Sequence, residues 1–94
     1  MIITTTRVLI YYDGPQVWIG SNSHNKYICT QCEDCVVAVQ VYDGTLLLYL
    51  EKKIDLRFLM ENGQRWYKLT DTEFIEQSGD IPEEYLPLEG FYHG

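Results

Sequence analysis

The sequence predicts one α+β domain: a mainly antiparallel sheet of about five strands with two short helices packed on one face. Three observations carry this reading. Runs of β-branched and aromatic residues alternate with Gly, Pro, Asn and Asp punctuation across the first 42 positions. The densest apolar stretch, 43–70, holds two helix starts, a stop and a returning strand. The chain of 94 residues is long enough for one core and too short for two.

Thr4–Tyr12 reads as the first strand, because β-branched and aromatic side chains fit a pleated surface. Asp13-Gly14-Pro15 turns the chain. Gly supplies an unusual φ there, and Pro cannot donate to a ladder. Gln16–Gly20 returns as the second strand, and Ser21–Asn25 is a polar loop. Lys26–Thr30 is the third strand, with Tyr27 and Cys29 on one face and Ile28 on the other. After a turn at Gln31–Asp34, Cys35–Tyr42 is the fourth. Its unbroken Val36-Val37-Ala38-Val39 predicts a central strand buried on both faces.

The first helix starts at Asp43-Gly44-Thr45, where Asp43 or Thr45 is the expected cap, and runs through Leu46–Leu50. Lys52 and Lys53 are expected in its last turn, where the helix dipole favours cations. Asp-Gly between apolar runs is also a hairpin signal, so a strand over Thr45–Leu50 is the rival reading. The helix is preferred because the apolar run does not alternate and continues into helix-forming Glu51-Lys52-Lys53. Asp55 caps a second helix with Leu56, Leu59 and Met60 inward and Arg57 exposed; Asn62-Gly63 stops it. Gln64–Thr70 is the fifth strand, and Phe74-Ile75 is placed as a possible short sixth. Strand alternation puts one of Trp66 and Tyr67 in the core and the other outside. Pro82-Glu83-Glu84 opens a short helical turn with Pro at its first position. Tyr85, Leu86, Leu88, Phe91 and Tyr92 are expected to pack over the sheet.

Charge is the clearest signal besides fold. The formal net charge is −7, and residues 1–70 balance to zero. The whole excess falls on Asp71, Glu73, Glu76, Asp80, Glu83, Glu84 and Glu89, with no Lys or Arg after Lys68. Such a balance disfavours direct contact with nucleic acid or an anionic membrane. Either the segment is a solvated acidic surface or it is a docking face for a basic protein partner. No apolar run approaches the ~20 residues that span a bilayer. Residues 1–7 lack the pattern of a secretory signal, so a cytoplasmic protein is expected.

Cys29, Cys32 and Cys35 form C-x2-C-x2-C, a spacing that chelates zinc or an iron–sulfur cluster. His24 or His93 would complete a zinc set. Against this, no second C-x2-C is present and the run straddles a strand–turn–strand, so ordinary core thiols in a reducing compartment are the simpler account and no cofactor is expected. Neither histidine sits in a triad-like context, adjacent Glu83 and Glu84 point apart, and no phosphate-binding glycine motif occurs. No enzyme activity is expected.

Tyr11-Tyr12-Asp13-Gly14-Pro15, Lys53–Leu59 (KIDLRFL), Trp66-Tyr67 and Ile81–Pro87 (IPEEYLP) with Gly90-Phe91-Tyr92 together resemble a family of small bacterial domains of unknown function. In that family a D-G-P hairpin opens the sheet, K-I-D-L-R starts a helix, and L-P-E-E-(Y/W)-L-P…G-F closes the domain. The resemblance implies an α+β fold, no known activity and no catalytic residue to carry over; the Cys29–Cys35 run lies outside the pattern. The functional expectation is therefore non-catalytic protein–protein interaction through the acidic C-terminal segment. A compact acidic chain of this kind is also what a phage or mobile-element inhibitor of a nucleic-acid-handling defence protein looks like, by analogy. A small zinc-binding domain built on Cys29, Cys32, Cys35 and His24 is the alternative.

Overall fold

The computed structural model describes residues 1–87. Strands β1 (Thr4–Tyr11), β2 (Pro15–Ser21), β3 (Lys26–Cys32) and β4 (Cys35–Val41) come first. Helices α1 (Asp43–Leu50) and α2 (Leu56–Glu61) follow, then strands β5 (Trp66–Leu69) and β6 (Phe74–Gln77). A single 3-10 turn spans Glu83–Tyr85. The six strands form one sheet in chain order, every neighbouring pair antiparallel. The count is six rather than about five: Phe74–Gln77 pairs fully with Trp66–Leu69 and is a true edge strand.

The helices lie on one face of this sheet. Ile19, Ile28, Val39 and Trp66 stand opposite one another across four strands. They pack with Leu46 and Tyr49 of α1 and Leu56, Leu59 and Met60 of α2 in one cluster. The Asp55 carboxylate accepts from the Phe58 backbone N–H at 2.8 Å, the expected cap. The start of α1 differs from expectation. Its cap is Tyr42 in extended conformation, with no side-chain bond, and Asp43 and Gly44 are already helical. The lysines also fall outside the helix. Lys52 sits at φ 64°, its N–H bonds Tyr49 O (3.0 Å), and Lys53 N–H bonds Leu48 O (2.9 Å). This paired closure usually uses a glycine at the left-handed position.

The opposite face holds a second apolar cluster, which the sequence reading did not foresee. Val8, Trp18, Cys29, Ala38, Tyr67 and Glu76 form its cross-strand row. Cys29 and Ala38 are fully buried and Tyr27 nearly so. Trp66 and Tyr67 are accordingly both buried, one on each face, rather than one inside and one out. What covers this face is the segment before β1. Met1 and Phe74 exchange backbone hydrogen bonds, at 2.9 Å and 2.8 Å. Five strand spacings of ~4.8 Å would separate β1 from β6 by ~24 Å in a flat sheet. The three residue steps from Thr4 back to Met1 reach ~10 Å at most. The sheet must therefore curl strongly towards its second face, and the small side chains Cys29 and Ala38 fill the inside of the curve.

Glycine marks one further close approach. A Cβ on Gly63 would overlap Val39 Cγ1 and lie 2.8 Å from Gln40 O. Gly63 is needed because the α2–β5 link presses on β4, and its φ is not left-handed.

Candidate functional site

The segment after β6 is fixed by side chains from α2 and β5. The Trp66 indole N–H donates to Gly79 O at 3.0 Å. Arg57, expected to be exposed, is only 19% exposed because it reaches over the segment. Its Nη2 donates to both Glu83 oxygens, at 2.5 and 2.6 Å, and its Nη1 to Pro87 O at 3.1 Å. Its Nε also pairs with Glu61, one helical turn on, at 3.3 Å. Tyr85 is the hub: its ring packs on Trp66 with centroids 5.9 Å apart, and Lys68 Nζ lies 5.3 Å from its centroid. The Lys68 pKa is raised, first by bonding to the Tyr85 hydroxyl. Ile81 and Leu86 join the helix-side core. The turn begins one residue later than expected, with Pro82 as its cap and Glu83 first.

The acidic residues on and before this segment do not share one face. Glu73 pairs with the Met1 amine and Glu76 with Arg65 at 3.8 Å, both at the β6 edge. Glu83 is held by Arg57. Asp71, Asp80 and Glu84 are exposed and make no ion pair among the described residues. Glu89 lies outside the described residues. The fold adds two acids that lie far from these in the sequence. Glu33 and Asp34, exposed at the β3–β4 turn, line one open hollow with Glu84, Tyr85 and Lys68. Nothing in the linear sequence joins position 34 to position 84; only the docking of Tyr85 does.

The three cysteines divide between faces. Cys29 belongs to the second face and is completely buried. Cys32, an odd number of positions further along β3, and Cys35, opposite it on β4, pack against the helix-side core. His24 sits in the loop between β2 and β3, at the other end of the sheet from the β3–β4 turn. His93 lies outside the described residues. No group of three or more His, Cys, Asp or Glu among the described residues is arranged to hold a metal ion. Burial pushes the Cys29 thiol up to about 12. The Cys32 thiol is raised too, by burial first and then by Cys35 beside it.

A second hollow of about 630 Å³ opens at the other end of the curled sheet, lined by Asn22, His24, Gln40, Arg65, Tyr67 and Glu76 among others. Four of its polar side chains pair with one another. Asn22 donates to the Tyr27 hydroxyl at 2.8 Å and Arg65 pairs with Glu76. Tyr67 is raised by burial, then by Tyr27 and Glu76. No helix among the described residues is long and apolar enough to cross a membrane. No family model, curated protein or solved structure matches the chain.

Proposed function

We propose that the protein is a non-catalytic binding module that docks on a basic surface of a partner protein. The observation that carries this reading is the grouping of Glu84 with Glu33 and Asp34, all exposed and in no ion pair among the described residues. Arg57, Trp66 and Tyr85 fix the segment that bears Glu84, and the β3–β4 turn fixes the backbone of Glu33 and Asp34, so the backbone that carries these carboxylates is set before binding. Little ordering cost then falls on association. Asp80 lines a separate hollow with Gly63 and Gln64 and stands outside this group; Glu83 anchors the segment that bears Glu84. A partner that normally handles nucleic acid offers the matching chemistry, a row of Lys and Arg spaced for phosphates. Occupying that row with carboxylates would inhibit the partner.

The test uses affinity capture from a host extract with the wild-type chain as bait, followed by binding measurements on the captured protein. Reversing Glu33, Asp34 and Glu84 together to Lys should weaken binding at least about tenfold and flatten its dependence on salt. Equal affinity and an equal salt slope for the triple variant would overturn the proposal.

A further inference from the structure

Cys32 and Cys35 close a two-residue turn, Glu33-Asp34, and stand directly opposite each other in the β3–β4 register. Directly opposed residues of an antiparallel pair have Cα atoms about 4.5–5.5 Å apart. A disulfide spans about 4.4–6.8 Å between Cα atoms, so the backbone already places this pair within bonding range. Both thiols are free and partly exposed beside an open hollow, whereas Cys29 is sealed on the other face. Both also touch the helix-side core, but packing alone does not require two partly exposed thiols set opposite each other.

We propose that Cys32 and Cys35 form a reversible redox site that exchanges with small-molecule disulfides of the glutathione type. One thiol, as thiolate, attacks the small disulfide and releases one glutathione thiolate, leaving a mixed disulfide on the protein. The second protein thiolate then attacks the protein sulfur of that bond and displaces the other glutathione. The protein dithiol is oxidised by two electrons, one small disulfide is reduced to two thiols, and the two protons pass to the departing thiolates. The bond encloses only the Glu33-Asp34 turn, so it removes little chain entropy and stays easily reducible. Cys32 Sγ lies 4.0 Å from Tyr85 O, which puts the site at the base of the anchored acidic segment. The inference stands apart from the docking proposal, since it rests on strand register and on the partial exposure of the two thiols.

The folded chain is treated with excess oxidised glutathione, the remaining thiols are alkylated, and the peptides are mapped by mass. The expected product is a Cys32–Cys35 linked peptide two hydrogens lighter than the dithiol, with no retained glutathione, returned to free thiols by dithiothreitol. Cys29 should be alkylated only after denaturation. Cys32→Ser should instead keep one glutathione on Cys35, because no second thiol is present to displace it. Wild-type protein that keeps glutathione adducts, keeps unreacted Cys32 and Cys35, or links into disulfide dimers would overturn the proposal.

Discussion

Replacing Gly63 separates two accounts of the same residue. Read as a helix stop, Gly63 would be there for its conformational freedom, and Asn would serve nearly as well. The structure gives it another reason. An added Cβ overlaps Val39 Cγ1 and lies 2.8 Å from Gln40 O. Val39 is 2% exposed and stiff at its branched Cβ, so it leaves its rotamer only at a cost of about 1 kcal/mol. Moving the backbone instead strains two ladder bonds, Gln64 N to Gln40 O at 2.7 Å and Gln40 N to Arg65 O at 2.8 Å. Each contributes about 1 kcal/mol net. Together with the overpacking itself, Gly63→Ala should lose about 3 kcal/mol. A chain of this length holds roughly 5–14 kcal/mol in total. In urea the midpoint should fall by roughly 1–3 M with an unchanged slope. Ser and Asn at this position should be no better than Ala. A midpoint for Gly63→Ala near wild type, or rescue by Asn, would show that β4 and the link do not press together.

Three further outcomes follow from particular residues. Lys52→Gly should raise stability by about 0.5–1 kcal/mol in urea titration, since Lys52 sits at φ 64° and glycine relieves a left-handed cost of about 1–2 kcal/mol while adding unfolded-chain entropy. Tyr49→Phe should be neutral or stabilising by about 1 kcal/mol, because the Tyr49 hydroxyl is buried with no hydrogen-bond partner among the described residues; a loss of that size would mean the hydroxyl is bonded. Stability should fall as pH rises above about 9. The unfolded Cys29 thiol loses its proton at its ordinary 9.0 while the folded one holds it to about 12, so the unfolded state binds fewer protons across that window. The loss approaches about 1.4 kcal/mol per pH unit, with Tyr49 adding to it only above its ordinary 10.0. Between pH 9 and 10, urea midpoints for Cys29→Ala should therefore fall less steeply than for wild type.

The parts of the fold that were legible in the sequence are those fixed by neighbours in the chain. The Asp13-Gly14 turn, with φ of 52° and 112°, follows from the residues that tolerate such angles. The Asp55 cap and the inward Leu56, Leu59 and Met60 follow from helical spacing. The apolar run of β4 announced a strand buried on both faces. If β4 is buried on both faces, its neighbours need a second covered face as well. Trp66-Tyr67 then becomes two core residues back to back. The cover itself, Met1–Ile3, could not be inferred, because nothing local says that a chain end crosses a curled sheet. The separation of Cys29 from Cys32 was nearly legible. Extending β3 by two residues beyond Thr30 puts the two on opposite faces by simple alternation. The candidate site was the least visible part, since Arg57 to Glu83 and Cys32 to Tyr85 are contacts across long stretches of chain.

Charge shows how folding redistributes acids that stand together in the sequence. In sequence order every uncompensated acid lies after Lys68. Folding brings cations back to them: Arg57 to Glu83, Arg65 to Glu76, and the Met1 amine to Glu73. Three of the six described acids in that segment are thereby spent on holding the fold together. Those left unpaired are Asp71, Asp80 and Glu84. Meanwhile Glu33 and Asp34, which disappear into the balanced count of residues 1–70, face solvent beside Glu84. An acid already bound to an arginine inside its own fold has little left to offer a partner. On the docking proposal, the charge that matters is what remains after internal pairing, and the one place where three such acids line a common hollow is beside the β3–β4 turn and Tyr85, where Glu33 and Asp34 meet Glu84 among the described residues.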